Sequence, residues 1–203
     1  MEEALLRKYR ISPIKSGVAK SEADALKLAS KLKYPVALKV ISPDILHKSD
    51  RGCVKPGIED KNALRKAYSE IMANAKGSRV EGMLVQKMGR KGVELIIGGK
   101  RDAQFGQLIM FGLGGIFVEI FKDVSVRVCP ITPEDAAEMI REIKAYPILA
   151  GARGTKPVDE EALIGLLVKT SRFLVKENPK ELDFNPVIAD SEGYDIVDVR
   201  IIK

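Results

Sequence analysis

The sequence predicts an α+β (or α/β) fold in two lobes, on three observations. Helix-like and strand-like segments alternate along the chain, and no internal repeat or low-complexity tract interrupts them. The 203 residues, 45% of them hydrophobic, are enough for one good core or for two small lobes. We expect a smaller lobe over residues 1–86 and a larger lobe over residues 87–203, with a ligand pocket in the cleft between them.

The predicted helices begin at capping residues that are followed by apolar residues at helical spacing. Ser21, Asp60, Thr132 and Asp159 each carry a side-chain oxygen that can accept a hydrogen bond from the first helical turn. Pro133 follows Thr132 at the first helical position, where proline is tolerated. In chain order, the predicted helices cover residues 1–9, 21–32, 60–75, 133–144 and 160–176.

The predicted strands are short apolar runs between turn-forming residues. The run at residues 36–41 is a buried strand interrupted by one lysine, whereas Pro56 weakens the strand around it. A glycine-rich turn covers residues 111–116, and residues 189–193 join the last two strands into a pair. In chain order, the predicted strands cover residues 36–41, 52–58, 83–86, 94–98, 107–111, 125–129, 182–188 and 194–202.

The composition argues against several classes of protein. No apolar run reaches the roughly 18 residues of a membrane span, and the start of the chain lacks the apolar core of a secretion signal. The net charge of +6 is spread along the chain and aromatic residues make up only 5%, so we expect no nucleic-acid-binding surface. Cys53 and Cys129 lack the histidine partners of a zinc site, which favours reduced thiols in a cytoplasmic protein.

Lys39 is the one charged residue within the apolar strand at residues 36–41. An unpaired buried ammonium group is very costly, so its charge must reach a partner. Phosphate oxygens suit such a point charge. The alternative is a lysine that extends into water from an edge strand.

A set of oxygen-bearing side chains lies near the C-terminus. Asp183 and Asn185 alternate with apolar residues, so both point to the same face of one strand. Asp198, on the partner strand, is expected to lie opposite Asn185 on that face. Hard oxygen ligands that converge in this way suit Mg²⁺, which keeps waters and substrate phosphates as its other ligands. The alternative is a solvated polar face of an edge hairpin.

The glycine-rich turn at residues 111–116 is a second candidate for anion binding. Its backbone N–H groups can approach an anion closely because glycines leave room. It is neither a P-loop nor a good dinucleotide fingerprint, and an ordinary turn is the alternative.

His47 is the only histidine, and it lies in the polar loop of residues 42–51. A lone histidine often has only a structural role. An imidazole can nevertheless attack phosphorus and form a phosphoramidate that is energetic enough to return its phosphoryl group to ADP. The sequence therefore offers His47 as a candidate carrier of a phosphoryl group.

Together these segments resemble the ATP-grasp family and, more closely, the beta subunit of ADP-forming acetyl-CoA (acyl-CoA) synthetase, a relative of succinyl-CoA synthetase. The resemblance runs over nearly the whole chain, from Tyr9 to Ile202. It implies the ATP-grasp fold, with a magnesium–nucleotide complex held between two lobes.

The resemblance also implies roles for residues at matching positions. Lys39 resembles the lysine of the α- and β-phosphates, and Glu94 the glutamate that binds the ribose hydroxyls. Asn185 and Asp198 resemble the magnesium ligands, with Asp183 beside them. The adenine would be received, largely through backbone groups, at an interlobe hinge formed by Val85, Gln86, Lys87 and Met88. The segments that line the phosphate end match Gly114, Gly115, Glu119 and Arg127.

For the whole protein, the resemblance implies an acid–thiol ligase: acyl-CoA + ADP + phosphate ⇌ carboxylic acid + CoA + ATP. His47 matches the beta-subunit histidine that carries phosphate to the nucleotide, and a separate CoA-binding alpha subunit would be the partner in a hetero-oligomer. Arg51, Cys53, Pro56 and Ala152 depart from the usual family sequence. The alternatives are an ATP-grasp domain of another carboxylate ligase and a non-catalytic, nucleotide-binding regulatory subunit.

Overall fold

A computed structural model of the chain describes residues 2–45, 48, 51–115 and 123–203. It divides into a smaller unit, residues 14–88, and a larger unit, residues 1–13 with 89–203. The first residues therefore group with the larger unit and not with the smaller lobe that the sequence suggests. The reason is burial, because Leu6 and Ile11, at and just after α1 (Glu2–Arg7), are buried in the core of the larger unit. His47 and Glu119 lie outside the described residues.

The smaller unit is a four-stranded antiparallel sheet covered by two helices on one face. Its strand order is β1-β4-β2-β3. Val36, Leu38 and Val40 of the second strand point to the helices and form the centre of the core, together with Val85 of the fourth. In chain order the elements are β1 (Ser16–Ala19), α2 (Glu22–Leu32), β2 (Val36–Ile41), β3 (Val54–Ile58), α3 (Lys61–Asn74) and β4 (Gly82–Lys87).

The predicted weakness at Pro56 is real and is accommodated by the position of β3. This strand is an edge of the sheet, and its register against β2 shifts between Val36 and Leu38. A proline without an N–H is tolerated at such an irregular edge. Gly57, the next residue, takes a left-handed conformation with φ of +70°.

The larger unit is built on an antiparallel sheet with the strand path β10-β8-β5-β6-β7, and β9 pairs with β8 outside this path. Helices α4 and α6 pack on one face, over a core that includes Phe111, Phe173 and Phe184. We call the other face of this sheet, turned away from α4 and α6, the far face. In chain order the elements are β5 (Val93–Asp102), β6 (Gly106–Leu113), β7 (Val124–Val128), α4 (Pro133–Glu142), α5 (Tyr146–Leu149), a 3-10 turn (Ala152–Gly154), α6 (Glu160–Glu177), β8 (Glu181–Asp190), β9 (Gly193–Ile196) and β10 (Val199–Ile202).

The predicted helix starts are confirmed by their hydrogen bonds. Asp60 accepts from the N–H groups of Asn62 and Ala63, and Thr132 forms a capping box with Asp135. The sequence did not predict strand β1, the short helix α5, the 3-10 turn or the break at residues 197–198 between β9 and β10. No helix in the described part of the chain is long and apolar enough to cross a membrane.

Candidate functional site

The structure brings the predicted metal ligands of β8 and β10 to neighbouring positions. Val199 pairs with Phe184 and Arg200 with Asp183, so the next position of the ladder sets Asp198 opposite Asn185. The backbone N–H of Asn185 donates to the carbonyl oxygen of Asp198 at 3.3 Å. Because the side chain of Phe184 points into the core, alternation places its two neighbours, residues 183 and 185, on the far face.

Asp183, Asn185 and Asp198 form a row on the far face, and the two carboxylates of this row differ in burial. Asp183 is half-buried, and its Oδ1 has no hydrogen-bond partner among the residues that the structure describes. Burial raises the pKa of Asp183; Arg200 opposes this shift, while Asp198 and Glu181 add to it. Asp198 is exposed, and its Oδ1 accepts a hydrogen bond from the N–H of Val199 at 2.9 Å, which orients the carboxylate.

The chemistry of this row fits magnesium. Within the described ranges, no group of three His, Cys, Asp or Glu side chains is arranged to hold a metal by itself. The row instead supplies two carboxylates and one amide oxygen. Mg²⁺ binds in this way, since it takes one or two carboxylates from the protein and completes its shell with waters and substrate phosphates. The unpartnered Oδ1 of Asp183 also matches an oxygen that a cation would satisfy.

A second part of the site lies where β5 begins and β6 ends. The N–H of Gly114 donates to the carbonyl oxygen of Glu94 at 2.7 Å, and Gly115 follows with φ of +66°. A Cβ at Gly115 would lie 3.4 Å from Oε2 of Glu94, so the carboxylate lies directly against the glycine turn. These three residues line a cleft of about 590 Å³ together with Ile148 of α5. Ile148 was not predicted as a site residue, because α5 was not predicted; Pro147, which fits a helix start, was the available signal.

Both parts of the site lie on the same face of the sheet. Glu94 pairs with Ile188 of β8, which is three residues beyond Asn185. A register shift between Leu95 and Ile97 lies within this stretch, so the two positions are separated by less than three regular strand residues. One elongated ligand on the far face can therefore contact both parts of the site.

The far face also contains an apolar cavity of about 420 Å³ beside Asp183. Gly98, Met110, Val126 and Arg200 are among the residues that line it. This cavity was not predicted from the sequence. The available signal was Gly98, since a glycine within a strand often marks a place of close approach.

In the smaller unit, Lys39 is half-buried in the central strand β2, opposite Val54 and Leu84. Its neighbours in the strand, residues 38 and 40, point into the core, so Lys39 lies on the face turned away from α2 and α3. The edge-strand alternative for Lys39 is therefore wrong. Gln86 of β4 lies on the same face, opposite Ala37.

The segment predicted as the hinge lies at the end of strand β4. Val85 and Gln86 pair with β1 on one side and β2 on the other, so the sheet uses their backbone groups, and the side chain of Val85 is fully buried. The N–H groups of Lys87 and Met88 donate to the carbonyl oxygens of residues 15 and 35. The smaller unit ends at Met88, where the sequence analysis expects the hinge.

Arg127 is not brought to the far face. It pairs with Ile109, a core residue, and therefore points toward the helices. There its guanidinium lies 2.6 Å from the carboxylate of Glu142 and 3.8 Å from that of Glu138 on α4. These ion pairs hold Arg127 on the face opposite Asp183, so we leave it out of the site.

The fold and the site define an ATP-grasp protein: a family model described as an ATP-grasp domain matches residues 1–202, and the chain belongs to that family. Within it, the chain is similar to the beta subunit of ADP-forming acetate–CoA ligase I from Pyrococcus furiosus, with 50% identity over 98% of this chain and 88% of the relative. It is 48% identical to ADP-forming acetate–CoA ligase I from Archaeoglobus fulgidus, but spans only 30% of that longer protein.

Solved structures of the acetyl-coenzyme A synthetase 1 of Candidatus Korarchaeum cryptofilum are also similar. The form with coenzyme A and Ca-AMPCP matches with a TM-score of 0.93 and 46% identity, over 98% of this chain and 89% of that one. The form with coenzyme A and Mg-AMPPCP, in which the phosphohistidine segment points towards the nucleotide-binding site, matches with a TM-score of 0.86 and 44% identity, over 97% of this chain and 87% of that one.

Proposed function

We propose that this chain is the nucleotide-binding beta subunit of an ADP-forming acyl-CoA synthetase. In the direction of ATP formation, a phosphoryl group passes from a histidine to ADP: the P–N bond to the imidazole breaks, and a P–O bond to the β-phosphate forms. The observation that carries the proposal is the far face of the larger unit, which Glu94 and the pair Asn185–Asp198 share within three residues of each other along β8. The similarity to ligase beta subunits supports the same conclusion.

The residues of the larger unit would divide the nucleotide between them. Glu94 and the N–H groups of the adjoining glycine turn would hold the ribose and the nearest phosphate. Asn185 and Asp198, with Asp183 beside them, would hold Mg²⁺, whose chemistry is to neutralise the phosphate charge.

The smaller unit would contribute Lys39 to the α- and β-phosphates, and Val85, Gln86, Lys87 and Met88 to the adenine. The phosphoryl carrier would be His47.

The partner would be a CoA-binding alpha subunit or domain, which supplies the phosphoryl group and selects the acyl group. The 30% share that this chain spans of its longer Archaeoglobus relative leaves room for such a part within a larger protein. ADP and CoA are intracellular compounds, so the proposal includes a cytoplasmic location.

The metal site is tested by calorimetry with Mg·ADP on the isolated chain and on Asp198→Asn. We expect magnesium-dependent binding that weakens by about tenfold or more in the variant, since a charged ligand is lost. Asp102→Asn is the matched control, because Asp102 ends β5 and its carboxylate accepts hydrogen bonds from backbone N–H groups of the following turn, which an amide oxygen can also accept. Absence of binding to the unmodified chain would refute the assignment.

The transfer step is tested by combining the chain with its alpha subunit and following ATP formation from acetyl-CoA, ADP and phosphate. We expect turnover from the complex and none from this chain alone. His47→Ala should bind Mg·ADP normally and form no ATP. Normal turnover by that variant would show that another group carries the phosphoryl.

A further inference from the structure

The polar loop that contains His47 returns to the sheet through a short stem, residues 51–53. The N–H of Cys53 donates to the carbonyl oxygen of Lys48 at 2.8 Å, and the N–H of Val40 in β2 donates to the carbonyl oxygen of Cys53 at 3.0 Å. The stem is thus fixed to the strand that carries Lys39. Further hydrogen bonds to the stem come from the last residue of α3 and from the turn that follows it.

Asn74, the last residue of α3, is bonded to the middle of the stem. Its side-chain amide donates to the carbonyl oxygen of Gly52 at 3.0 Å. Gly52 has φ of +63°, and a Cβ there would lie 2.8 Å from Nδ2 of Asn74. The backbone conformation therefore favours glycine at residue 52, and a Cβ there would push away the amide of Asn74 that bonds the stem.

The start of the loop and Arg51 of the stem are bonded to the turn that follows α3. The carboxylate of Asp44 accepts a hydrogen bond from the backbone N–H of Arg79 at 2.6 Å. At the stem, the guanidinium of Arg51 donates to Ser78 Oγ at 3.3 Å. Cys53 is fully buried in the core. Arg51 and Cys53, which depart from the family sequence, therefore both help to hold the stem in this chain.

We propose that Asn74 is a positioning residue for phosphoryl transfer, which acts on His47 through Gly52 and contacts neither nucleotide nor phosphate. The inference rests on the proposed function of His47. In-line transfer depends on placement of the reacting groups within a fraction of an ångström, and a misplacement of about 1 Å can cost about a hundredfold in rate. A stem bonded to the end of a helix limits the positions from which the loop starts and ends.

The test uses the complete complex and compares Asn74→Asp and Asn74→Ala with the unmodified protein. Asp has the size of Asn but replaces the amide donor by an acceptor that faces the carbonyl oxygen of Gly52. We expect the rate of ATP formation at saturating ADP to fall about two- to fivefold in Asn74→Ala, since the hydrogen bond is exposed, and at least as far in Asn74→Asp. The dissociation constant of Mg·ADP should stay unchanged.

Asn62→Ala is the matched control, because Asn62 lies at the other end of α3 and its side chain, among the described residues, bonds only the exposed guanidinium of Arg65. Its transfer rate should equal that of the unmodified protein. Gly52→Ala should lower the rate more than Asn74→Ala, and Gly52→Ala/Asn74→Ala should recover part of the loss, since the close contact is removed.

Equal rates for Asn74→Asp and Asn62→Ala would overturn the inference, as would a parallel loss of ADP affinity, which indicates a general effect on the smaller unit. The His47→Ala variant separates these results from the proposed function. If it is inactive while Asn74→Asp is normal, the carrier role stands and the positioning role fails. If His47→Ala is active, the carrier role itself fails.

Discussion

Gly114 offers a steric test of the pocket that contains Glu94. A Cβ at Gly114 would lie 3.0 Å from the carbonyl carbon of Glu94, 3.1 Å from its oxygen and 3.1 Å from the nitrogen of Leu95. All three are backbone atoms of β5, which cannot swing aside as a long side chain can. Carbon atoms prefer separations of about 3.5–4.0 Å, so Gly114→Ala must move this strand by a few tenths of an ångström.

The cost follows from this contact alone, because Gly114 is not among the glycines with positive φ. Overpacking of this kind costs about 1–3 kcal/mol. For a chain of this size, about 2–4 °C is lost per kcal/mol, so the melting temperature of Gly114→Ala should fall by about 2–12 °C. The affinity for Mg·ADP should also fall, because the displaced backbone carries the carboxylate of Glu94.

Two measurements check this result: a thermal melt without ligand and a calorimetric titration with Mg·ADP. Gly165→Ala is the control, since Gly165 lies within α6 and a Cβ there would meet no atom within 4 Å. This variant should gain about 0.5–1 kcal/mol of stability from its higher helix propensity and bind Mg·ADP unchanged. If Gly114→Ala melts and binds as the unmodified chain does, the close contact between β5 and β6 does not shape the site.

Three further variants test charges in the larger unit. Asp183→Asn should raise the melting temperature at neutral pH without magnesium, because a neutral amide replaces a half-buried carboxylate with an unpartnered oxygen. Mg·ADP should then stabilise this variant less than it stabilises the unmodified chain. Burial and the hydroxyl's hydrogen bond to Glu177 raise the pKa of Tyr9 to about 12. The stabilising contribution of the protonated hydroxyl to the free energy of unfolding is therefore complete below pH 10 and is lost between pH 10 and 12. Urea titrations over that range should show a steeper loss of stability in the unmodified chain than in Tyr9→Phe. Arg127→Leu should lower the melting temperature, since the ion pair with Glu142 is lost, and leave the affinity for Mg·ADP unchanged. A large loss of affinity would show that Arg127 belongs to the nucleotide site.

The common placement of Asp183, Asn185 and Asp198 is the part of the candidate site that the sequence predicts best, because it depends on local rules of strand geometry. Alternation along β8 places residues 183 and 185 on one face, and the register of a hairpin partner places Asp198 opposite Asn185. The same rules fail to predict the break between β9 and β10. That break accompanies a register shift of β5 against β8 between Leu95 and Ile97, which depends on a strand far away in the sequence.

Strand β7 shows why the rest of the site could not be predicted. Alternation gives one side Val124, Val126 and Val128 and the other side Ser125 and Arg127, so a hydrophobic rule would bury the valines. The structure does the reverse: Val126 and Val128 are 45% and 50% exposed, whereas Ser125 is buried.

The polar side chains of β7 can face the helices because α4 supplies their hydrogen-bond and ion-pair partners, which the local sequence pattern does not predict. Ser125 Oγ donates to the carbonyl oxygen of Met139 at 2.8 Å, and Arg127 pairs with Glu142 at 2.6 Å. Because Ser125 and Arg127 face the helices, alternation places the valines of β7 on the far face, where Val126 lines the cavity beside Asp183. A strand that breaks the hydrophobic rule therefore lies next to the site, and the departure itself marks the face on which the proposed chemistry takes place.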